Sequence, residues 1–262
     1  MESGLKGKSV IVAGASQGMG RAAAQAFAAE GARVAICART ERTLNEAADQ
    51  IHAATGAEVL PYALDVTDGA AVKRFVGEVV KRFGTVHVCV ANAGGPPAKN
   101  FAATNAEDWR KAFELNFMSA YHLISECLPH MQKQKWGRVI TITSTSVRQP
   151  IPDLVLSSAI RPAVVGLVKS LAIEYGRDNI TANNIGPGYT TTERLNELAG
   201  SRARAAGIPE KDIYDRWATE VPLKRLGRPE EIADAIVWLA SERASYVTGQ
   251  SIMVDGGIYK GI

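Results

Sequence analysis

Several features are missing from this chain, and each absence closes off a class of function. Cysteine is scarce: Cys37, Cys89 and Cys127 are odd in number and widely spaced, and no C-x-x-C occurs. That argues against a disulfide framework or a thiolate metal site and leaves reduced core thiols, as expected of a cytoplasmic protein. The four histidines (His52, His87, His122, His130) form no H-x-x-x-H pair, so no metal is expected. Charge of one sign is also lacking. A net charge of +3 over 262 residues, without a like-charge run or a basic cluster interleaved with aromatics, leaves no footprint for nucleic acid. No uninterrupted apolar run reaches the ~18 residues of a membrane span. The N-terminal M-E-S-G-L-K-G-K leads directly into a strand-like run, without a signal peptide's apolar stretch. No linker, repeat or low-complexity segment divides the chain, so residues 1–262 are read as one domain.

What is present is an alternation of short β-branched apolar runs with longer amphipathic segments. Strands are predicted at Ser9–Ala13, Arg33–Ala38, Glu58–Ala63, Val86–Ala91, Gly137–Thr143, Ile180–Ile185 and Ser251–Val254. Helices are predicted near 18–30, 41–54, 69–83, 107–133, 162–176, 194–206, 209–219 and 229–241. Unbroken apolar strands alternating with helices imply a parallel sheet covered on both faces. Right-handed crossovers then give an α/β, Rossmann-like doubly wound fold with ligands at the carboxyl ends of the strands.

The first strand–helix turn reads A-G-A-S-Q-G-M-G, with Gly14, Ser16, Gln17, Gly18, Met19 and Gly20. Glycines there permit a tight turn and close approach of backbone to a pyrophosphate resting on a helix N-terminus. The spacing G-x-x-x-G-x-G resembles the short-chain dehydrogenase/reductase family, although Ala13 stands where the family has Thr. The resemblance continues along nearly the whole chain. Leu64-Asp65-Val66 is similar to the family's adenine-contacting Asp-Val, and Ala91-Asn92-Ala93-Gly94 to its N-N-A-G, with Ala91 replacing an Asn. Pro187-Gly188 with Thr190 and Thr192 resembles the stretch that contacts the nicotinamide. Tyr246-Val247-Thr248-Gly249-Gln250 and Val254-Asp255-Gly256-Gly257 match the C-terminal pattern. A nicotinamide dinucleotide is therefore expected. At the end of the second strand, Ala38 occupies the place of an NAD-selecting carboxylate and Arg39 follows, which favours NADP(H) over NAD(H) through the 2′-phosphate.

The active-site stretch departs from the family. The resemblance implies a Ser that steadies the substrate oxygen, a Tyr that transfers the proton, a Lys that binds the nicotinamide ribose, and an Asn that holds a relay water. Ser144 and Asn116 match two of these positions. Counting on from Ser144, and aligning R-P-A-V-V-G-L-V-K-S-L-A with the family helix, places Ser157 at the Tyr position and Arg161 at the Lys position. An aliphatic hydroxyl titrates far above a phenol and is shorter by a ring, and an arginine stays cationic and shuttles no proton. Pro162 is expected to delay or bend the helix that carries both residues.

Three readings stay open. The chain is a reductase or dehydrogenase of small or acyl substrates with a non-standard proton donor, Tyr189 and Asp153 being candidates and Arg148 a further residue of the site. It is a non-redox catalyst using Arg161 as an oxyanion partner. Or it is an NADP(H)-binding sensor with little chemistry. Residues near 190–226 lie where the family carries a substrate lid. Arg194, Arg202 and Arg204 there are nearly balanced by acidic residues, which favours a solvated helical pair over a charged substrate site. Leu195, Leu198, Ile213 and Trp217 supply its apolar faces. The implied partners are a small-molecule carbonyl or alcohol and further copies of the chain, as a homotetramer or dimer. Phe117, Met118, Tyr121, His122, Ile252 and Met253 are the contact candidates, with no nucleic acid or membrane.

Overall fold

The computed structural model describes residues 2–262. In chain order its strands are β1 (Ser9–Ala13), β2 (Arg33–Ala38), β3 (Val59–Ala63), β4 (Val88–Ala91), β5 (Gly137–Ile142), β6 (Ile180–Pro187) and β7 (Ser251–Val254). The α-helices are α1 (Gly18–Ala29), α2 (Glu41–Thr55), α3 (Gly69–Phe83), α4 (Ala106–Phe113), α5 (Ser119–Gln134), α6 (Val155–Tyr175), α7 (Glu193–Ala206), α8 (Glu210–Glu220) and α9 (Pro229–Ala240). All seven strands run parallel in the order β3-β2-β1-β4-β5-β6-β7. The order reverses between β1 and β4, and a crevice opens there at the strands' carboxyl ends.

Successive residues of each strand feed opposite faces of the sheet. Ile11, Cys89 and Val139 lie in the layer under α3, α5 and α6, whereas Val10, Val88 and Ile140 lie in the layer under α1, α2 and α9. This two-sided burial is why the strands read as continuous apolar runs. The three cysteines are free and buried, and burial pushes the Cys37 thiol up to about 12, so it packs as a small hydrophobe. Local signals set several helix ends. The Asp68 carboxylate accepts from the Ala70 and Ala71 N–H groups at the start of α3, and Gly84 closes it at φ 84°.

Two helices differ from expectation. The single helix predicted over 107–133 is interrupted at Glu114–Met118 by a π-helical turn between α4 and α5. The helix expected to start near Pro162 starts seven residues earlier and contains the proline. Tertiary packing holds the turns ahead of it: the Val155 N–H donates to the Lys99 carbonyl at 3.3 Å, and Leu156 and Ile160 are buried with Ala112 against Trp109 and Phe117. An 18-residue window within Val155–Asp178 also reaches a mean hydropathy of 1.4, apolar and long enough by composition to cross a membrane. Its place in the fold explains that composition, because Val164, Val168, Leu171 and Ala172 are buried in the layer shared with Ala182 of β6.

Candidate active site

The glycines after β1 build one end of the crevice. Gly14 and Gly18 adopt φ of +60° and +56°, and a Cβ at Gly20 would lie 2.3 Å from the Gly14 carbonyl oxygen. Asn92, at the end of β4, donates through Nδ2 to the carbonyls of Ala13 and Gly14 at 3.1 and 3.3 Å and so ties the two central strands together. The result is a cradle of glycine backbone at the N-terminus of α1, with Thr192 and Glu193 facing Gly18.

A cavity of about 610 Å³ extends from this cradle in both directions. One arm reaches Ala38, Arg39, Thr40 and Thr43 beyond β2, with Leu64, Asp65 and Val66 beside them. The other passes Asn92, Ala93 and Gly94 to Ser144, Ser157 and Arg161, and is bounded by Pro187, Gly188, Thr190 and Thr192. Ser16, Gln17 and Met19 also line it, so the cavity collects the dinucleotide-contact residues expected from sequence. The glycine cradle, and an arginine with no carboxylate at the β2 position, fit an NADP-type dinucleotide.

Ser144 follows β5 and its Oγ accepts the Ser146 N–H at 3.1 Å, capping a short 3₁₀ turn. Ser157 is the third residue of α6 and 7% exposed; Arg161 lies one turn further on and is 8% exposed. Arg161 Nη1 donates to the Thr143 carbonyl at 3.0 Å and the Ile142 carbonyl at 3.4 Å, which clamps the guanidinium to the end of β5. Its Nε is buried without a partner. Burial, and then the charge of Arg194, pull its pKa down to about 10, so it stays cationic at neutral pH.

Asn116 lies outside the main cavity. It sits in the π-helical turn, where Nδ2 donates to the Gly94 carbonyl at 2.9 Å and Oδ1 is buried without a partner. A second cavity of about 10 Å³, roughly one water in size, lies between Asn116 and Arg161. The π turn escapes sequence reasoning because no residue pattern marks it. The only trace is a polar residue of poor helix propensity in the middle of F-E-L-N-F.

The three side chains considered as alternatives at the site do not line the cavity. The Tyr189 ring stacks on Trp217 at 4.9 Å, and burial raises its pKa. Asp153 and Arg148 are exposed. The titratable residues that do line the cavity are Arg39, Asp65, Arg161, Glu193 and Arg194. Glu193 approaches the Gly18 cradle, and Asp65 belongs to the Arg39 arm. Among the described residues, the arm holding Ser144 therefore has no Tyr, Lys, His, Cys or carboxylate on its walls. Leu115, Leu154, Leu195 and Leu198 complete that arm; Leu115 and Leu154 carry no sequence signal beyond standing beside Asn116 and before α6.

Comparisons with known proteins agree with this geometry. The family model described as enoyl-(acyl carrier protein) reductase matches residues 14–259. The 3-oxoacyl-[acyl-carrier-protein] reductase FabG of Staphylococcus epidermidis is 32% identical over 252 residues, covering 96% of this chain and 99% of the relative. The enzyme of the same name from Thermotoga maritima is 32% identical over 254 residues, 97% and 98% of the two chains. The structure of L-sorbose reductase from Gluconobacter frateurii, complexed with NADPH and L-sorbose, matches the whole chain with a TM-score of 0.95 at 33% identity. That of YwfH, an NADPH-dependent reductase involved in bacilysin biosynthesis, matches 97% of this chain and 99% of its own with a TM-score of 0.92 at 28% identity. The chain belongs to the short-chain dehydrogenase/reductase family of NAD(P)-dependent oxidoreductases.

Proposed function

We propose that this chain is an NADPH-dependent carbonyl reductase in which water, rather than a side chain, supplies the proton. The observation that carries the reading is the composition of the Ser144 arm among the described residues: serine and threonine hydroxyls and the cations Arg161 and Arg194, with no Tyr, Lys, His, Cys or carboxylate. Similarity to 3-oxoacyl and sorbose reductases supports carbonyl reduction, and the NADPH of the sorbose reductase complex and of YwfH supports the cofactor. In this reading Arg39 holds the 2′-phosphate, Asp65 and Val66 the adenine end, and Pro187, Gly188, Thr190 and Thr192 the nicotinamide end.

When bound, the reduced nicotinamide supplies the hydride. Ser144 Oγ donates to the substrate carbonyl oxygen and orients it. As negative charge develops on that oxygen, the Arg161 guanidinium stabilises it from a fixed position, so no reorganisation is needed. The proton that completes the alcohol comes from solvent at the cavity mouth, with Ser157 relaying it. Overall, one carbonyl, one NADPH and one proton give one alcohol and one NADP+.

The test is NADPH consumption against β-keto esters, diketones, quinones and aldehydes, with cofactor binding measured in parallel. Turnover of at least one carbonyl class supports the reading. Tight NADPH binding without turnover of any class would overturn it in favour of a sensor, which the missing phenol and ammonium would also suit. The chain is further proposed to self-associate through α4, α5, α6 and the β7 region. Phe113 and Tyr121, Ile173 and Tyr246 present exposed apolar surface there, whereas Phe117 and Ile252, expected at contacts, pack inward. Sedimentation of the purified chain as a monomer at micromolar concentration would refute the assembly.

A further inference from the structure

Two buried arginines of this chain have different surroundings. Arg138 stacks on Trp136 at 4.3 Å and faces Glu242 at 3.6 Å, so its charge is compensated within the fold. Arg161 has no carboxylate within ion-pair reach among the described residues; its protein partners are two neutral backbone carbonyls on Nη1. With Nη1 taken and Nε sealed away, Nη2 is the nitrogen left to the cavity. A buried cation without a counter-charge is costly unless a ligand supplies one.

The same arm gains a second cation. Arg194, in the first turn of α7, lines the cavity opposite, at a helix N-terminus whose own dipole is already positive. Its Nη2 donates to the Pro96 carbonyl at 2.7 Å, and its Nη1 meets Glu197 at 3.1 Å. The Glu197 side chain is 66% exposed, so that pair is solvated, weak and readily exchanged for a ligand. The two guanidiniums are close enough for Arg194 to disfavour the charge on Arg161. A ribose hydroxyl at Arg161 would leave this excess positive charge in place, and a neutral ketone would do the same.

We infer that the substrate of this site carries a carboxylate next to its carbonyl group, as in a 2-oxo or 3-oxo acid, with Arg161 and Arg194 as its anion clamp. The inference rests on the proposed carbonyl reduction and narrows its substrate class. Arg161 lies beside Ser144 at the end of β5, so one guanidinium can meet both the carbonyl oxygen and the adjacent carboxylate. Arg194 closes over the carboxylate from the lid. Leu154 and Leu198 leave apolar wall for the remainder of the substrate. The clamp makes specificity electrostatic, because a neutral ester leaves the buried Arg161 guanidinium without a counter-charge and gives Arg194 nothing in exchange for its solvated pair with Glu197.

The test is calorimetric titration of the NADP+-saturated chain with pyruvate, phenylpyruvate and acetoacetate, each compared with its methyl ester. At least one acid should bind about ten-fold more tightly than its ester. Arg194→Gln should remove most of that preference while leaving NADP+ affinity unchanged. Arg161→Gln should remove it too, with the circular dichroism spectrum and a cooperative thermal transition reporting that the variant has folded. Acid and ester binding equally, binding by neither, or a preference that survives both substitutions would overturn the inference. Turnover separates it from the reductase reading. Selective binding of acids with no NADPH oxidation on any carbonyl would leave the anion clamp standing and refute the reductase. Esters reduced as efficiently as acids would do the opposite.

Discussion

A guanidinium and an ammonium at position 161 place charge differently. An ammonium is a compact point charge that can lose a proton; the Arg161 fork keeps its charge and spreads it over directed donors, two of whose bonds lock it to β5. In the proposed mechanism removing Ser144 or Arg161 removes oxyanion stabilisation, and Ser144→Ala and Arg161→Ala should each lower kcat/KM for reduction by roughly 10² to 10³. Ser157→Ala should stay within about three-fold, because water can take over a relay but not a fixed charge. With Arg161 titrating only at about 10, the rate of wild-type reduction should be flat from about pH 6 to about pH 9. The change Ser157→Tyr with Arg161→Lys should introduce a titrating step into that profile, measured by steady-state kinetics. At the other arm, Arg39→Ala should weaken NADPH about ten- to a hundred-fold and leave NADH unchanged, as read by cofactor fluorescence titration. These positions were proposed from the sequence, Ser157 and Arg161 by counting from Ser144 and Arg39 from the end of the second strand. The place of Arg194 was not: it looks balanced by its neighbours in sequence, and only α7 carries it to the cavity wall.

On α6, local propensity and tertiary packing disagree, and packing prevails. Pro162 removes the N–H that would bond the Ser158 carbonyl, yet the turns before it remain helical because Leu156 and Ile160 are pinned against α4 and the π turn. Those turns carry Ser157 and Arg161. Leu156→Ala should therefore cost about 2–5 kcal/mol in denaturant unfolding and also lower kcat/KM, since the helix start would then be set by the proline. The conservative Leu156→Met should largely preserve both. The π turn acts similarly on Asn116. One extra residue in the helical winding aims its amide at the Gly94 carbonyl, and neither hydrophobic period nor composition announces such an insertion.

At the scale of the whole molecule, the parallel sheet brings distant chain segments to one edge and also creates buried titratable contacts. His87, just before β4, accepts the Ser9 N–H through Nδ1 at 3.0 Å. Partial burial, then the charges of Lys8 and Arg33, lower its pKa from 6.5 to about 4, and the Trp136 ring packs edge-on 5.7 Å away. The folded protein thus keeps the ring neutral where the unfolded chain would protonate it. Its contribution to stability is fully present above about pH 6.5 and is lost progressively as pH falls towards about 4. Thermal unfolding followed between those limits should show Tm falling on acidification, with a shallower slope in His87→Gln. An equally steep slope in the variant would assign the effect to other groups.

The sequence by itself determined the sheet, the crevice and the family, because continuous apolar strands, glycine spacing and short motifs act locally and in order. An ungapped alignment of the helix also led to the expectation that Ser157 and Arg161 take the places of the family's Tyr and Lys. Only the tertiary structure decided that Pro162 lies inside α6, that Tyr189, Arg148 and Asp153 stay off the cavity wall, and that Arg161 is buried without a counter-charge among the described residues. Each of these depends on contacts between segments far apart in the chain. There, burial energy outweighs local preference, and a charge's surroundings rather than its identity set what it binds.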